Sequence, residues 1–126
     1  MCEFFNEEVF ADYLVKFVEE YKKEGITVTH LSLVNEPFVP VLRYPTMRMD
    51  GLQAASIVKH LGPKLEELDH KVKILSWDHN VNNYGYYFEE LYEDEEAYKY
   101  IAGTGFHGYD GDYLEACMTW PEIYPD

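Results

Sequence analysis

Hydrophobic residues near the start of the chain recur at every third or fourth position, which is the spacing of one face of a helix. The residues that follow this spacing are Phe10, Tyr13, Leu14, Phe17, Val18 and Tyr21. Asn6, alone or with Glu7, can open this helix, and Gly25 can end it in a left-handed conformation. The pattern therefore predicts an amphipathic helix between Asn6 and Gly25, with its apolar stripe facing the core.

Three shorter apolar runs have the length and composition of buried strands. They cover residues 26–34, 71–77 and 101–107. The third run is rich in glycine and other small residues, so we expect another part of the protein to pack closely on it.

The segments between the strands predict further helices and two long loops. Asp50 and Gln53 have the spacing of a capping box that opens a second helix. Gly62-Pro63 should kink or divide this helix, because proline lacks a backbone N–H. The residues expected to face the core from it are Leu52, Ala55, Leu61, Leu65 and Leu68.

The second half of the chain continues the alternation. Residues 36–49 and 78–92 are predicted loops, the second of them rich in polar and aromatic residues. A short acidic helix is predicted over 94–100, and a last helix begins at Asp112 and fades by Trp120. The predicted order is α-β-α-β-α-β-α, which is typical of parallel strands joined by helical crossovers.

Each predicted strand ends in residues that can do chemistry. The first ends in Asn35-Glu36, the second in Trp77-Asp78-His79-Asn80 and the third in His107-Gly108-Tyr109. Parallel strands place their carboxyl ends on one rim, where ligands of α/β folds bind. Pro37 disfavours right-handed helical angles at Glu36, so we expect Glu36 to be extended at the mouth of the strand.

Charge and length exclude several classes of protein. Asp and Glu outnumber Lys and Arg by 24 to 10 in 126 residues, a formal net charge of -14. Such a chain is a poor match for nucleic-acid backbones and anionic membrane surfaces, and a neutral or cationic ligand is easier to accept. We see no signal peptide, and no stretch approaches the roughly 20 apolar residues of a membrane span.

Other candidate sites have simpler explanations. The five histidines lack a short metal-ligand spacing, and we predict no metal site. The run from Glu93 to Glu96 is better explained as a solvated helix start than as a calcium loop. Tyr84, Tyr86, Tyr87 and Phe88 form an aromatic cluster that either packs internally or provides a platform for a sugar or lipid. Cys2 and Cys117 define neither a metal site nor a disulfide framework.

Seven motifs together resemble glycoside hydrolase family 30, the group of glucosylceramidases and related β-glycosidases. They are residues 11–17, Asn35-Glu36-Pro37, residues 44–47, Leu61-Gly62-Pro63, Trp77-Asp78-His79-Asn80, residues 95–100 and Phe106-His107-Gly108-Tyr109. Their order and spacing match the family along nearly the whole chain.

The resemblance implies a partial (β/α)₈ TIM barrel, an α/β fold with about three parallel strands and alternating helices. A complete barrel takes about 250 residues. Residues 1–126 would then form one partial domain, from the third helix through the sixth strand and its following helix. The strand that carries the family's catalytic nucleophile, a second glutamate, would lie outside this sequence.

The resemblance also implies roles for individual residues. Glu36 would be the catalytic general acid/base of a retaining glycosidase, and Asn35 would hold the 2-hydroxyl of the sugar. Asp78, His107 and Tyr109 would line the sugar subsite or steady the carboxylates, and Trp77 would offer an apolar face to a sugar ring. These roles imply a β-glycoside or glycosphingolipid substrate and no cofactor.

Two features leave the function open. Gly108 stands where the family usually has tryptophan, so a stacking wall is lost and the substrate preference is in doubt. Without the second carboxylate, we expect the isolated chain to be inactive, unless Asp78 replaces the nucleophile. The alternatives are a non-catalytic carbohydrate-binding or decayed barrel fragment, and an open α/β domain that binds an unrelated small ligand.

Overall fold

A computed structural model describes residues 6–38, 46–81 and 85–109 of the chain. Helices and strands alternate along it, with two helices between the second and third strands. In chain order they are α1 (Glu7–Lys23), β1 (His30–Ser32), α2 (Gly51–Glu66), β2 (Lys73–Asn80), α3 (Gly85–Tyr92), α4 (Glu95–Tyr98) and β3 (Ile101–His107).

The three strands form one parallel sheet in the order β1-β2-β3. Leu31 is paired with Ile74, and Leu75 is paired with Gly103. The predicted parallel arrangement is therefore confirmed. β1 is shorter than predicted, because only His30–Ser32 of the apolar run 26–34 forms a strand.

Helix α1 has the predicted ends but a different buried face. The Asn6 side chain accepts a hydrogen bond from the backbone N–H of Val9, and Gly25 has a φ of 81° after the last turn. The buried residues are Ala11, Leu14 and Val18. Leu14 and Val18 belong to the predicted stripe, and Ala11 does not. Tyr13 is 61% exposed, which corrects the prediction that it faces the core.

Helix α2 begins at the predicted capping box, with Asp50 and Gln53 bonded reciprocally. The prediction that Gly62-Pro63 divides it is wrong, since Pro63 lies inside one helix that continues to Glu66. Leu61 is fully buried, whereas Leu52 in the first turn is 64% exposed. Leu52 is exposed because the buried face in this part of the helix consists of Gly51, Ala54, Ala55, Ile57 and Val58.

Among the described glycines, the closest packing occurs on α2 and not on the small residues of β3. A Cβ atom added to Gly62 would lie 2.3 Å from the ring of Tyr100. The same addition at Gly103 would reach only Leu75, at an ordinary 3.6 Å, and at Gly105 it would reach the backbone of Asp78 at an ordinary 3.5 Å. The expectation of close packing on the third strand is therefore corrected, because the tight contact is between α2 and the residue preceding β3.

The segment 78–92, predicted as a loop, contains the end of a strand and a helix. β2 extends to Asn80, and α3 begins at Gly85. Tyr87 and Phe88 are buried in α3, while Tyr86 is 82% exposed. Two members of the aromatic cluster are thus core residues. Tyr84 lies outside the described residues.

Helix α4 and strand β3 follow the predictions closely. Asp94 caps α4 by accepting a hydrogen bond from the N–H of Ala97, and β3 has the predicted bounds Ile101–His107. The predicted last helix and both cysteines lie outside the described residues. In the three described ranges, no helix combines the length and apolarity needed to cross a membrane.

Candidate active site

Three of the predicted site residues meet at the carboxyl ends of the strands. Glu36 lies just beyond β1, Asp78 lies near the end of β2, and His107 is the last residue of β3. The parallel sheet brings these positions to one rim although they are up to 71 residues apart in sequence. This juxtaposition is what the alternating pattern predicted.

The imidazole ring of His107 lies between the two carboxyl groups. Its Nδ1 atom is 3.1 Å from Oε1 of Glu36, and its Nε2 atom is 3.0 Å from Oδ1 of Asp78. The side chain of His107 is 18% exposed, that of Glu36 is 21% exposed and that of Asp78 is 31% exposed, so each is only partly accessible to water. Both ring nitrogens are therefore used within the site.

Opposing effects act on the proton affinity of His107. Burial lowers its pKa, because the charged imidazolium loses contact with water. The hydrogen bonds to Asp78 and Glu36 and their negative charges act in the other direction. Together they outweigh burial, and the pKa of His107 lies above its usual value.

Ser32 is a member of this cluster that sequence analysis missed. Its hydroxyl donates a hydrogen bond to Oδ2 of Asp78 at 2.6 Å. Ser32 is the last residue of β1, and Asp78 follows it by 46 positions. A small polar residue in an apolar strand is the only sequence signal, and it does not identify the partner.

The backbone of the rim adopts uncommon conformations. Glu36, Trp77 and Asp78 have positive φ angles of 51°, 72° and 56°, respectively. Such angles cost side-chain-bearing residues free energy and concentrate at functional sites. The expectation that Glu36 is extended is wrong, because its N–H donates to the carbonyl oxygen of Asp78 at 2.9 Å and the chain turns there.

The register of the sheet also changes at this point. The pairing of β2 with β3 shifts between Trp77 and His79. A bulge of this kind bends a strand and re-aims its side chains. Asp78 falls at the shift, and its carboxyl group lies between Ser32 and His107.

Trp77 occupies a different environment from the predicted one. Its side chain is 2% exposed, and its ring centroid lies 5.1 Å from both His79 and Tyr87 and 5.5 Å from Phe38. Its indole N–H donates to the carbonyl oxygen of Asn80 at 2.8 Å. Because its faces are covered by these rings, we assign Trp77 to the core beneath the rim and not to a sugar contact.

The remaining predicted residues are accessible on the rim. Asn35 is exposed beside Glu36, and Tyr109 is 80% exposed with its ring 5.5 Å from that of His107. A Cβ atom added to Gly108 would meet nothing within 4 Å among the described residues. The space beside the backbone at position 108 is therefore open among the described residues.

No other described feature competes with this rim. A cavity of about 460 Å³ lies at the opposite ends of β2 and β3, lined by residues such as Leu65, Lys73 and Tyr100. Ligands of parallel α/β folds bind at the carboxyl ends of strands, so we assign it no substrate. Within the described ranges, no group of three or more His, Cys, Asp or Glu is arranged to hold a metal ion.

Comparison with known proteins gives a consistent set of relatives. Residues 4–123 match the model of the glycosyl hydrolase family 30 TIM-barrel domain. An endo-1,6-β-D-glucanase of Aspergillus fumigatus is 30% identical over 79% of this chain and 20% of its own length. The lysosomal acid glucosylceramidase of Mus musculus is 31% identical over 93% of this chain and 24% of its own length.

The solved structures identify the fold. A solved endo-β1,6-glucanase has a TM-score of 0.84 and 30% identity, and the match covers 94% of this chain and 27% of that one. The three parallel strands and their helices are thus part of a TIM barrel. The chain spans about a fifth to a quarter of the length of the curated relatives it matches.

Proposed function

Because this chain belongs to glycosyl hydrolase family 30, as its motifs predicted, we propose that it carries the acid/base part of a retaining β-glycosidase site. Glu36 is the general acid/base in this proposal. The observation that carries it is the contact of Glu36 with His107 on the rim that Asp78 shares. A carboxyl group held there by a titratable partner can give up and take back a proton.

The proposed reaction uses Glu36 twice. In the first step its carboxyl group protonates the glycosidic oxygen as the aglycone departs. In the second step its carboxylate accepts a proton from the water that releases the sugar. The partial exposure of Glu36 supports this role, because the group must reach both substrate and water.

Neighbouring residues would position the sugar. We propose that the exposed amide of Asn35 holds the 2-hydroxyl, a contact that strengthens in the transition state of such reactions. Tyr109 and the carboxylate of Asp78 are proposed as further sugar contacts. The names of the relatives favour a glucoside as substrate, because they specify glucanase and glucosylceramidase.

A retaining mechanism also requires a nucleophilic carboxylate about 5–5.5 Å from the acid/base. Asp78 is a poor candidate, since its two oxygens already accept from Ser32 and contact His107. We propose that the nucleophile comes from outside the 126 residues. The glycosidase then needs a segment that this sequence does not contain.

The test is an assay of the 126-residue chain on an aryl β-glucoside. We expect no significant turnover, because no covalent intermediate can form without the nucleophile. Glu36→Gln is the matched control, since it replaces the ionisable carboxyl group with a neutral amide of similar size. Robust turnover that Glu36→Gln abolishes would overturn the proposal that the nucleophile comes from outside the 126 residues. Asp78 would then be the candidate nucleophile.

The acid/base role is tested separately in any longer form of the protein that hydrolyses glucosides. Glu36→Gln should lower kcat/KM strongly for a substrate with a poor leaving group and much less for a dinitrophenyl glucoside. The reason is that an activated phenolate needs little protonation to depart. Equal losses on both substrates would contradict the assignment of Glu36 as general acid.

A further inference from the structure

Four side chains form a continuous line of hydrogen bonds across the rim. It runs from Ser32 to Asp78 at 2.6 Å, from Asp78 to His107 at 3.0 Å and from His107 to Glu36 at 3.1 Å. The line links all three strands. Glu36 lies at one end of the line and Ser32 at the other.

Hydrogen-bond chemistry fixes the direction of this line. Ser32 donates to Oδ2 of Asp78, and an ionised carboxylate can only accept. Oδ1 therefore accepts from Nε2 of His107, which must carry a proton whether the ring is neutral or charged. In the neutral ring the other nitrogen, Nδ1, then has no proton and presents its lone pair to Glu36.

We propose that Ser32 is a positioning residue, which holds Asp78 so that His107 keeps its proton on Nε2 and shares a single proton with Glu36 through Nδ1. This inference rests on the proposed acid/base role of Glu36. It resembles the logic by which an aspartate holds a catalytic histidine in one tautomer in serine hydrolases.

Glu36 and Nδ1 of His107 hold one proton between them, on either the carboxyl group or the ring. With His107 neutral, the carboxyl O–H of Glu36 donates to Nδ1, and Glu36 is ready to act as an acid. When the proton crosses, the O–H bond breaks and the Nδ1–H bond forms, which leaves a carboxylate and an imidazolium. The transfer separates charge, which the low exposure of the two side chains opposes. The carboxylate of Asp78 offsets this cost, because it accepts from Nε2 and stabilises the imidazolium.

The groups that face His107 are few among the described residues. Glu36 and Asp78 contact its two nitrogens, the ring of Tyr109 lies 5.5 Å away, and the ring of His79 lies 6.4 Å away. The two carboxyl groups are the partners that raise its pKa. Among the described residues, the phenol ring of Tyr109 and the imidazole ring of His79 are the other titratable groups at these distances. The signals of His79 must therefore be followed in parallel with those of His107.

The experiment is nitrogen NMR of the histidine rings in the 126-residue chain labelled with ¹⁵N-histidine. The signals of His107 are assigned by their loss in His107→Gln. Above its titration we expect a proton on Nε2 and a bare Nδ1. In Ser32→Ala we expect the two tautomers to mix and the titration midpoint to fall, because Asp78 is no longer held.

Matched variants separate positioning from a general structural effect. Ser32→Thr keeps the hydroxyl on a residue suited to strands and should restore the native spectrum. Ser56→Ala removes another serine–carboxylate bond, the one to Glu7, and should leave His107 unchanged. Asp78→Asn should move the ring proton to Nδ1, because the asparagine amide can donate to Nε2, and asparagine tolerates a positive φ.

The outcomes distinguish this inference from the proposed function. A Ser32→Ala spectrum identical to the native one overturns the role of Ser32, and a native proton on Nδ1 overturns the whole arrangement. Neither result depends on hydrolysis. If Ser32→Ala fails to fold, Ser32→Cys replaces it, because a thiol has a similar size but is only a weak donor. A native spectrum in Ser32→Cys then overturns the role of Ser32. The opposite combination is also informative. If NMR confirms the proton on Nε2 but Glu36→Gln loses equal activity on both glucosides, the acid/base role is rejected and the line of hydrogen bonds stands.

Discussion

The layer around α2 and the carboxyl rim of the sheet are built in opposite ways. Around α2, apolar residues such as Leu61 are fully buried, and Gly62 leaves only enough room for the ring of Tyr100. At the rim, Glu36 and Asp78 are partly exposed, ionisable and held at positive φ angles. The difference teaches that stability and chemistry occupy separate parts of this fold.

The packed layer can offset the strain of the rim. Each left-handed residue costs on the order of 1–2 kcal/mol, and three of them lie at the rim. Complete burial of an aliphatic side chain contributes about 1.5–3 kcal/mol, and α2 alone buries several. A conformation that is unfavourable locally is thus maintained by packing elsewhere.

The largest effect on stability is expected from a substitution that disrupts the packing around α2. Gly62→Ala should lower the free energy of unfolding by about 1–3 kcal/mol, because the new methyl group overlaps the Tyr100 ring and something must shift. Urea unfolding followed by circular dichroism measures the change. Gly103→Ala is the control, since its methyl group would meet Leu75 at an ordinary distance. Equal destabilisation by both variants would contradict the comparison.

A smaller effect should relieve the strain of the rim. Glu36→Gly and Glu36→Ala both remove the carboxyl group, but only glycine adopts a φ of 51° without a steric penalty. We expect the glycine variant to be more stable than the alanine variant by about 1 kcal/mol in urea unfolding. An alanine variant as stable as the glycine variant would show that the rim carries no backbone strain at this position.

The smallest expected effect is a dependence of stability on pH. The pKa of His107 is raised in the folded chain, so its stabilising contribution is fully present below the unfolded value of about 6.5. The contribution is lost as the pH rises through the folded value. Urea midpoints should therefore fall over this range more in the native chain than in His107→Gln. Parallel profiles for the two chains would mean that His107 does not couple to folding.

Local signals explain what the sequence could predict. The capping box at Asp50, the short acidic helix that follows Asp94 and the strand over 101–107 depend on neighbouring residues, and all three are confirmed. The meeting of Glu36, Asp78 and His107 was also predictable, because parallel strands align their ends whatever the details of packing.

Packing and long-range contacts explain what the sequence could not predict. The residues of helix α3 resemble a loop in sequence, because tyrosines, a glycine and asparagines surround its start. Tyr87, Phe88 and Leu91 nevertheless have the spacing of a buried helical face. Leu52 and Tyr13 are apolar residues whose exposure depends on which face the neighbouring helix covers.

The hydrogen-bond partners of Ser32 and Glu36 also could not be predicted from neighbouring residues, because both partners are distant in sequence. Ser32 bonds a residue 46 positions away, and no spacing rule joins the two. The turn at Glu36 follows from a main-chain bond to Asp78, which overrides the extended preference before Pro37. Such contacts exist only once the sheet has formed.

The main-chain bond from the N–H of Glu36 to the carbonyl oxygen of Asp78 has a consequence for engineering. Neither side chain takes part in it, so it joins the ends of β1 and β2 whichever amino acids occupy the two positions, proline at 36 excepted. A designer could therefore exchange the reactive groups at this edge, for instance to install a different nucleophile or a metal ligand, while the scaffold keeps both attachment points in register.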